Sequence, residues 1–217
     1  MATMLSFVAT DAKVDGSLLQ RLLVEAVDLS FNCITVDGDT STNDACVLVA
    51  TGAGEPVTES SANDLQALRD ALVDVCTVLA QAVVRDGEGA SKFISVNVVG
   101  GRDRDECRAV AYTVAHSPLV KTAMFASDAN WGRILAAVGR SPVSALDTDI
   151  INMYLDDVMI VENGGRAAAY REEHGARVMA REDITVRIEL NRGAAEATVW
   201  TCDLSHGYVS INANYRS

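Results

Sequence analysis

The longest helical pattern in the sequence lies between residues 62 and 84. Its apolar side chains recur every three or four positions, which places them on one face of an α-helix. They are Leu65, Leu68, Leu72, Val75, Leu79, Ala82 and Val83. Ser61 and Asp64 match a capping box at its start, and the glycines of RDGEGASK are expected to end it. Because such a helix must bury its apolar face, the chain has to fold in packed layers.

Strand and helix patterns alternate through the first two thirds of the chain. Apolar runs of strand length lie at residues 4–9, 45–52 and 93–99, and we expect the second to be a buried strand. Helical spacing follows Asp15, and either Asp15 or Ser17 could cap that helix. Shorter helical stretches are predicted at residues 104–115, 118–125 and 131–139.

The last third of the sequence favours strands. Residues 184–190 alternate apolar and polar side chains, as in a strand with one exposed face. The turn sequence NRGA then precedes AEATVWTCDL, which we expect to be the hairpin partner of that strand. GYVSINANYR is expected to add a final strand. Together the patterns predict an α/β (α+β) fold, a layered sandwich of mixed sheets and helices.

The length of the chain limits its domain organisation. Its 217 residues, 49% of them hydrophobic, suffice for one large domain or two small ones. The sequence shows neither an internal repeat nor a disordered linker. We therefore expect residues 1–217 to form a single unit, with a subdivision near residues 140–150 between an α/β core and a smaller β-rich part.

Charge and cysteine content argue against several functional classes. A net charge of -12 disfavours binding to nucleic acid or to anionic membranes. The five cysteines are scattered, without the clusters of a zinc site or a disulfide framework. No apolar run approaches the ~18 residues of a membrane helix, and no basic segment followed by an apolar one opens the sequence. We expect a soluble cytoplasmic protein without a metal.

Two loop sequences have both a structural and a functional interpretation. RDGEGASK, at residues 85–92, lacks the spacing of a phosphate-binding loop and follows a helix rather than a strand. A helix cap and a turn explain it, unless Glu88 is a functional carboxylate on a loop whose glycines allow a close approach. DGDTSTND, at residues 37–44, lacks the ligand spacing of a calcium loop. Turn chemistry explains it, although a long polar loop between apolar strands could lie near a site.

Candidate nucleophiles are few. None of the three histidines lies in a Ser/His/Asp pattern, and Asn130 is expected to cap a helix rather than to catalyse. Thr3 follows the small residue Ala2, and its hydroxyl would become a nucleophile if Thr3 were the first residue. Its own α-amine, with an unperturbed pKa of about 7.7–8.0, could then accept the hydroxyl proton. An ordinary N-terminal strand would give the same pattern.

Several stretches resemble one protein family. They are MATML at the start, FNCITVDGDTSTND, VRDGEGASKFI, SPLVKTAMFASDANWGRILAAVG and the closing INANYRS. They run from the first residue to the last and are together highly specific. The sequence resembles the β chain of the bifunctional ornithine acetyltransferases (glutamate N-acetyltransferases) of arginine biosynthesis. The resemblance implies the N-terminal-nucleophile-like fold of that family.

The resemblance implies a reaction and its site residues. A precursor of the family cuts itself at the bond that corresponds to Ala2–Thr3, and Thr3 becomes the catalytic nucleophile. Acetyl then moves from N-acetylornithine to Thr3 and on to glutamate, which releases ornithine and forms N-acetylglutamate. The substrate contacts carry over to Thr3, Glu88, Asn212 and Ser217. No cofactor is implied, although some members of the family also accept acetyl-CoA as a donor.

The resemblance also implies a partner chain. In the family, the oxyanion hole is a Thr-Gly pair of the preceding α chain, and a substrate-binding lysine lies just before the cut. The β chain alone is therefore expected to be nearly inactive, since losing one oxyanion donor costs on the order of a hundredfold in rate. We expect two α and two β chains to form a heterotetramer. The alternatives are an aminopeptidase or amidase of the same architecture, and an orphan β chain without catalysis.

Overall fold

The computed structural model describes residues 4–215, and the chain divides into two compact units. The first unit comprises Met1–Ile34 and Asp39–Ala82, and the second comprises Thr35–Gly38 and Val83–Ser217. Residues 140–150 lie within the second unit. Each unit has a hydrophobic core of its own.

Short strands and two long helices make up the chain as far as residue 85. In order they are β1 (Leu5–Thr10), β2 (Lys13–Val14), α1 (Gly16–Leu29), a 3₁₀ turn (Phe31–Cys33), β3 (Ile34–Thr35), β4 (Ala45–Ala50), β5 (Pro56–Val57) and α2 (Ala62–Arg85). The long predicted helix is confirmed as α2. The helix predicted after Asp15 is confirmed as α1, and Asp15 is its cap, because the Asp15 carboxylate accepts a hydrogen bond from Ser17 N–H at 2.8 Å.

Helices and strands alternate again from residue 93 onward. They are β6 (Phe93–Gly101), α3 (Arg104–Ala115), α4 (Pro118–Phe125), α5 (Trp131–Gly139), a 3₁₀ turn (Thr148–Ile150), β7 (Asn152–Leu155), β8 (Val158–Glu162), β9 (Gly165–Arg166), α6 (Glu172–Met179), β10 (Asp183–Glu189), β11 (Ala195–Cys202) and α7 (His206–Asn214). The predictions of α3, α4 and α5 are confirmed. Asn130 caps α5, as predicted, by accepting a hydrogen bond from Arg133 N–H at 3.1 Å.

The first unit packs its helices on one face of a parallel strand pair, β1 with β4. The core between them consists of Leu18, Leu22, Ala26, Phe31, Leu72, Cys76 and Ala80. The opposite face carries Leu5, Phe7 and Val49, whose exposed fractions are 60%, 74% and 50%. The expectation of a buried strand at 45–52 is therefore wrong for this chain, because no described residue covers the second face of β4.

Within residues 4–215, the second unit is built around a seven-stranded sheet in the order β3-β11-β6-β10-β7-β8-β9. β6 runs parallel to β10 and antiparallel to β11. α3 packs on β6 and β11, and α6 packs on β8. The helices bury their apolar sides on this mixed sheet, which confirms the predicted α/β class.

The predicted hairpin of β10 and β11 is wrong. β6 lies between them, so that Val96 is opposite Val186 on one side and opposite Val199 on the other. None of the nine residues of β6 is fully exposed. A strand buried to this extent satisfies its backbone N–H and C=O groups only when it has a neighbour on each edge. β6 therefore takes up one edge of β10 and one edge of β11.

The predicted final strand is also wrong, since this segment forms α7. Ser205 precedes the helix, and its hydroxyl accepts a hydrogen bond from Tyr208 N–H at 3.3 Å. Serine is among the preferred residues at a helix N-cap. The cap fixes the first turn, although α7 buries no apolar side chain of its own.

Candidate functional site

Glu88 lies on the loop between α2 and β6, in the second unit. The residue is partly buried, and no residue between 4 and 215 forms a hydrogen bond or an ion pair with its carboxylate. The turn around it is closed by hydrogen bonds from Gly87 N–H to Val84 O at 3.1 Å and from Ala90 N–H to Gly87 O at 3.0 Å. The backbone of this loop therefore fixes the point from which the Glu88 side chain extends.

Gly89 allows the loop to lie directly against the start of α7. Its φ is +68°, and an added Cβ would lie 2.6 Å from Tyr208 N and 2.7 Å from Ser205 Oγ. Only glycine adopts this φ readily and leaves room for the helix. The Ser205 hydroxyl also donates to the Gly89 carbonyl at 2.6 Å. The close approach that the glycines were expected to allow is thus made by a helix of the same chain.

Asp203 holds the other end of the loop. Its side chain is buried, with an exposed fraction of 3%. Its Oδ1 accepts hydrogen bonds from Ser91 N–H at 2.8 Å and from Lys92 N–H at 2.9 Å, and its Oδ2 accepts one from Ser91 Oγ at 2.6 Å. We call this arrangement of Asp203, Ser91 and Lys92 the Asp203 clamp. It connects the Glu88 loop to the segment between β11 and α7.

Asn212 lies on α7, on an exposed part of the helix. Its side-chain N–H donates to Tyr208 O one turn earlier at 3.0 Å. The structure therefore places two predicted site residues, Glu88 and Asn212, on elements that meet at the start of α7. It does so through Gly89 and Ser205, which no sequence pattern had indicated as partners.

Lys121 is a buried cation that the sequence analysis did not identify. Its side chain is 3% exposed, and its Nζ donates to Thr201 Oγ1 at 2.9 Å and to Cys202 O. Burial lowers the pKa of the Lys121 ammonium from its usual 10.5, although the charges of Cys202, Asp203 and Asp37 act in the opposite direction. Its backbone carbonyl accepts Leu204 N–H at 3.2 Å, so Lys121 fixes the segment that carries Asp203.

Both ends of the polar stretch at residues 37–44 form hydrogen bonds of functional interest. In the second unit, the Asp37 carboxylate accepts a hydrogen bond from Tyr208 OH of α7 at 3.0 Å. In the first unit, Asp44 Oδ1 accepts one from Met4 N–H at 2.9 Å. Met4 is the residue directly after Thr3. The first of these hydrogen bonds connects the stretch to α7, which carries the predicted site residue Asn212.

Three predicted site residues, Ala2, Thr3 and Ser217, lie outside the described residues. Within residues 4–215, no three His, Cys, Asp or Glu side chains are grouped so as to hold a metal ion. All five cysteines are free thiols. None of the helices in this part of the chain has the length and apolar character that crossing a membrane requires.

The family to which the sequence belongs is decided by comparison with known proteins. The model of the ArgJ family matches residues 1–217. The chain belongs to the ArgJ family. This confirms the resemblance to the bifunctional acetyltransferases of arginine biosynthesis, which was inferred from separate motifs.

Relatives in the ArgJ family are similar along the whole of this chain. The arginine biosynthesis bifunctional protein ArgJ of Neisseria meningitidis serogroup A / serotype 4A (strain DSM 15465 / Z2491) is 58% identical over 219 residues. That of Pseudomonas syringae pv. tomato (strain ATCC BAA-871 / DC3000) is 56% identical over 219 residues. Each match covers 100% of this chain and 54% of the relative. The chain therefore spans about half the length of the curated relatives that it matches.

A solved structure of the ArgJ family has the same fold. The crystal structure of the arginine biosynthesis bifunctional protein argJ from Bacillus halodurans, at 2.00 Å resolution, aligns with a TM-score of 0.89 and 38% sequence identity. The alignment covers 98% of this chain and 100% of that chain. It confirms the predicted fold class of mixed sheets and helices.

Proposed function

We propose that this chain is the nucleophile-bearing β chain of an enzyme that transfers an acetyl group from N-acetylornithine to glutamate. The observation that carries the proposal is the match to the ArgJ family over residues 1–217, with relatives named as bifunctional proteins of arginine biosynthesis. The chain matches 54% of such a relative but 100% of the solved Bacillus halodurans chain. These two proportions fit an enzyme made as a precursor and cut into two chains.

The proposed chemistry begins with cleavage of the precursor. The Thr3 hydroxyl attacks the Ala2 carbonyl, and the C–N bond between Ala2 and Thr3 breaks as the ester forms, which frees the α-amine of Thr3. Water then hydrolyses the ester, which releases the Ala2 carboxylate and restores the Thr3 hydroxyl. That amine accepts the hydroxyl proton when Thr3 attacks the acetyl carbonyl of N-acetylornithine. The C–N bond breaks, the leaving amine takes the proton, and ornithine departs. The amine of glutamate then attacks the acetyl ester, and the Thr3 hydroxyl is restored as N-acetylglutamate forms.

Substrate binding is proposed to use both ends of the amino acid. Glu88 would bind an amino group, and its carboxylate is available because it has no hydrogen bond or ion pair with residues 4–215. The amide of Asn212 and the hydroxyl of Ser217 would bind the α-carboxylate. The contact between the Glu88 loop and α7 supports this division of roles for Glu88 and Asn212.

A partner chain is part of the proposal. The α chain would supply the oxyanion hole and a substrate-binding lysine, and two α and two β chains would form a cytoplasmic heterotetramer. The uncovered apolar face of β1 and β4, with Phe7 74% exposed, supports a partner there, since exposed apolar patches mark interaction surfaces. We propose that catalysis needs no bound cofactor and that acetyl-CoA is at most an additional acetyl donor.

The test uses the full-length precursor, which contains this chain and the half that precedes it. We expect cleavage at Ala2–Thr3 in an intact-mass measurement, and N-acetylglutamate formation from N-acetylornithine and glutamate. Thr3→Ala should abolish both. Release of free acetate at the same rate with and without glutamate would instead identify a hydrolase. Supplying acetyl-CoA in place of N-acetylornithine tests the second donor.

The role of Glu88 is tested separately. Glu88→Ala should raise the KM for N-acetylornithine roughly ten- to hundredfold, because a hydrogen bond to a charged group is worth ~1.5–3 kcal/mol. Asp86→Ala is the matched control, since it removes an exposed carboxylate two residues away on the same loop. An unchanged KM in Glu88→Ala removes Glu88 from the site.

A further inference from the structure

We infer that Asp203 is a positioning residue that fixes Glu88 in the substrate site through the Asp203 clamp. The inference rests on the proposed function, because it assigns Glu88 a substrate contact. Asp203 is not proposed to contact the Thr3 hydroxyl or the acetyl group. Asp203 acts on the backbone that carries Glu88, and the segment to which it belongs continues into α7.

The hydrogen bonds of the clamp are directed at the loop. Asp203 accepts three of them, two from backbone N–H groups and one from a hydroxyl, and all come from Ser91 and Lys92. The Asp203 carboxylate is buried, whereas Ser91 is exposed and Lys92 is partly buried. Removing the carboxylate leaves three donors of the loop without their acceptor within the chain. A carboxylate in this position therefore decides whether residues 91 and 92 keep their backbone geometry.

Glu88 depends on this geometry more than an ordinary surface residue does. No residue between 4 and 215 holds its carboxylate by a hydrogen bond or an ion pair, so the loop backbone fixes the point from which the Glu88 side chain extends. On its C-terminal side the loop is fixed first by Ser205, which donates to the Gly89 carbonyl, and then by Asp203. Releasing the second contact would let the loop lift from the start of α7.

Lys121 supports the clamp from the opposite side. Its Nζ donates to Cys202 O, its carbonyl accepts Leu204 N–H, and its ammonium attracts the Asp203 carboxylate. Cys202 and Leu204, which flank Asp203, are thus both hydrogen-bonded to Lys121, one through its side chain and the other through its backbone. Asp203 is held as a rigid support rather than as a mobile surface carboxylate.

The experiment measures acetyl transfer by the processed full-length protein for three variants. Asp203→Ala removes the acceptor and should raise the KM for N-acetylornithine about tenfold while kcat changes less than about threefold. Asp203→Asn keeps one oxygen for the two N–H groups and offers its amide to Ser91 Oγ, so it should restore the KM to within about threefold of the wild type. Ser91→Ala loses only the hydrogen bond from the Ser91 hydroxyl to Asp203. It is the milder variant to use if Asp203→Ala does not fold.

Coupling to Glu88 separates positioning from general stability. In a Glu88→Ala background, Asp203→Ala should add less than about twofold to the KM, because the group that it positions is gone. Asp103→Ala is the control for stability, since it removes the carboxylate cap of α3 at the opposite end of β6 and should leave the KM unchanged. A KM effect of Asp203→Ala that is equally large without Glu88 overturns the inference.

Amide hydrogen exchange tests the clamp without relying on turnover. The Ser91 and Lys92 amides should exchange at least about tenfold faster in Asp203→Ala than in the wild type, and Asp103→Ala should not change them. Unchanged exchange at both amides overturns the inference, as does faster exchange with an unchanged KM. A wild-type protein that transfers no acetyl group refutes the proposed function. The inference about Asp203 is then tested by calorimetric titration with N-acetylornithine, and unchanged binding in Asp203→Ala overturns it.

Discussion

Substituting Gly89 by alanine should lower the free energy of unfolding by more than the unfavourable φ alone would cost, because the new side chain would also disturb the contact between the Glu88 loop and α7. Alanine in the left-handed region costs about 1–2 kcal/mol. At this position the new Cβ would also lie 2.6 Å from Tyr208 N and 2.8 Å from Gly207 C, which are backbone atoms that cannot rotate away. Overpacking of this kind costs typically ~1–3 kcal/mol. The expected loss is therefore roughly 2–5 kcal/mol.

Two other glycines provide matched controls for this substitution. Gly52 also has a positive φ, +72°, but an added Cβ would meet only Lys13 Cγ, at 3.9 Å. Gly52→Ala should therefore cost only the ~1–2 kcal/mol of the backbone conformation. Gly16 begins α1 and has no atom within 4 Å of an added Cβ, so Gly16→Ala should be neutral or slightly stabilising.

Urea unfolding followed by far-UV circular dichroism gives the free energy of unfolding for all three variants. If the loop lifts locally in Gly89→Ala, part of the loss is relieved, and a raised KM for N-acetylornithine then reports the displacement of Glu88. The reasoning is refuted if Gly89→Ala is no less stable than Gly52→Ala and binds substrate normally. That result would mean that the loop and α7 are not in contact as described.

Three further tests concern the buried cation, the cap of α7 and the packing of the core. Burial lowers the pKa of Lys121 below 10.5, so the unfolded state holds the lysine proton more tightly than the folded state. The free energy of unfolding of the wild type should therefore rise relative to that of Lys121→Met as the pH approaches 10.5. A difference in the free energy of urea unfolding that does not change with pH contradicts this. Ser205→Ala should cost about 0.5–2 kcal/mol through loss of the α7 cap, visible as reduced helicity. Ile188→Ala should cost about 2–5 kcal/mol, whereas Ile211→Ala, on exposed α7, should stay within about 0.5 kcal/mol.

Local patterns predicted most helices and strands but not how the strands pair. The spacing of apolar residues predicted α2, and the alternation of apolar and polar residues predicted β10, because each pattern follows from one element that faces one core. The order of strands depends on which of them is most deeply buried, and β6 took the place between β10 and β11 for that reason. The order of the strands depends on elements that are far apart in the sequence, so a pattern read from one short segment does not predict it.

The mistaken final strand has a local cause. Val209 and Ile211 are two positions apart, which imitates the alternation of a strand, yet both are exposed on α7, by 61% and 49%. Their spacing therefore carries no information about a core. The helix is set by the Ser205 cap and by the close approach of Gly89, and only the first of these was readable from the sequence.

The site residues were predicted by resemblance, and the structure adds the buried side chains near the Glu88 loop. Glu88 and Asn212 were identified because their motifs match the family. Lys121 lies in one of the matching stretches, SPLVKTAMFASDANWGRILAAVG, but no role was assigned to it, and Asp203 lies in none of them. Their partners are distant in the sequence: Asp203 binds Ser91 across 112 positions and Lys121 binds Thr201 across 80. Interactions of this range become visible only when the fold brings the segments together.

The most direct test of the account is a mass measurement on Thr3 itself. The processed protein is incubated with N-acetylornithine alone, digested, and the peptide that begins at Thr3 is analysed. We expect it to carry one acetyl group as an ester on the Thr3 hydroxyl, with the α-amine unmodified, and to lose that group when glutamate is added. A Thr3 peptide that never carries acetyl while N-acetylglutamate accumulates contradicts the central claim.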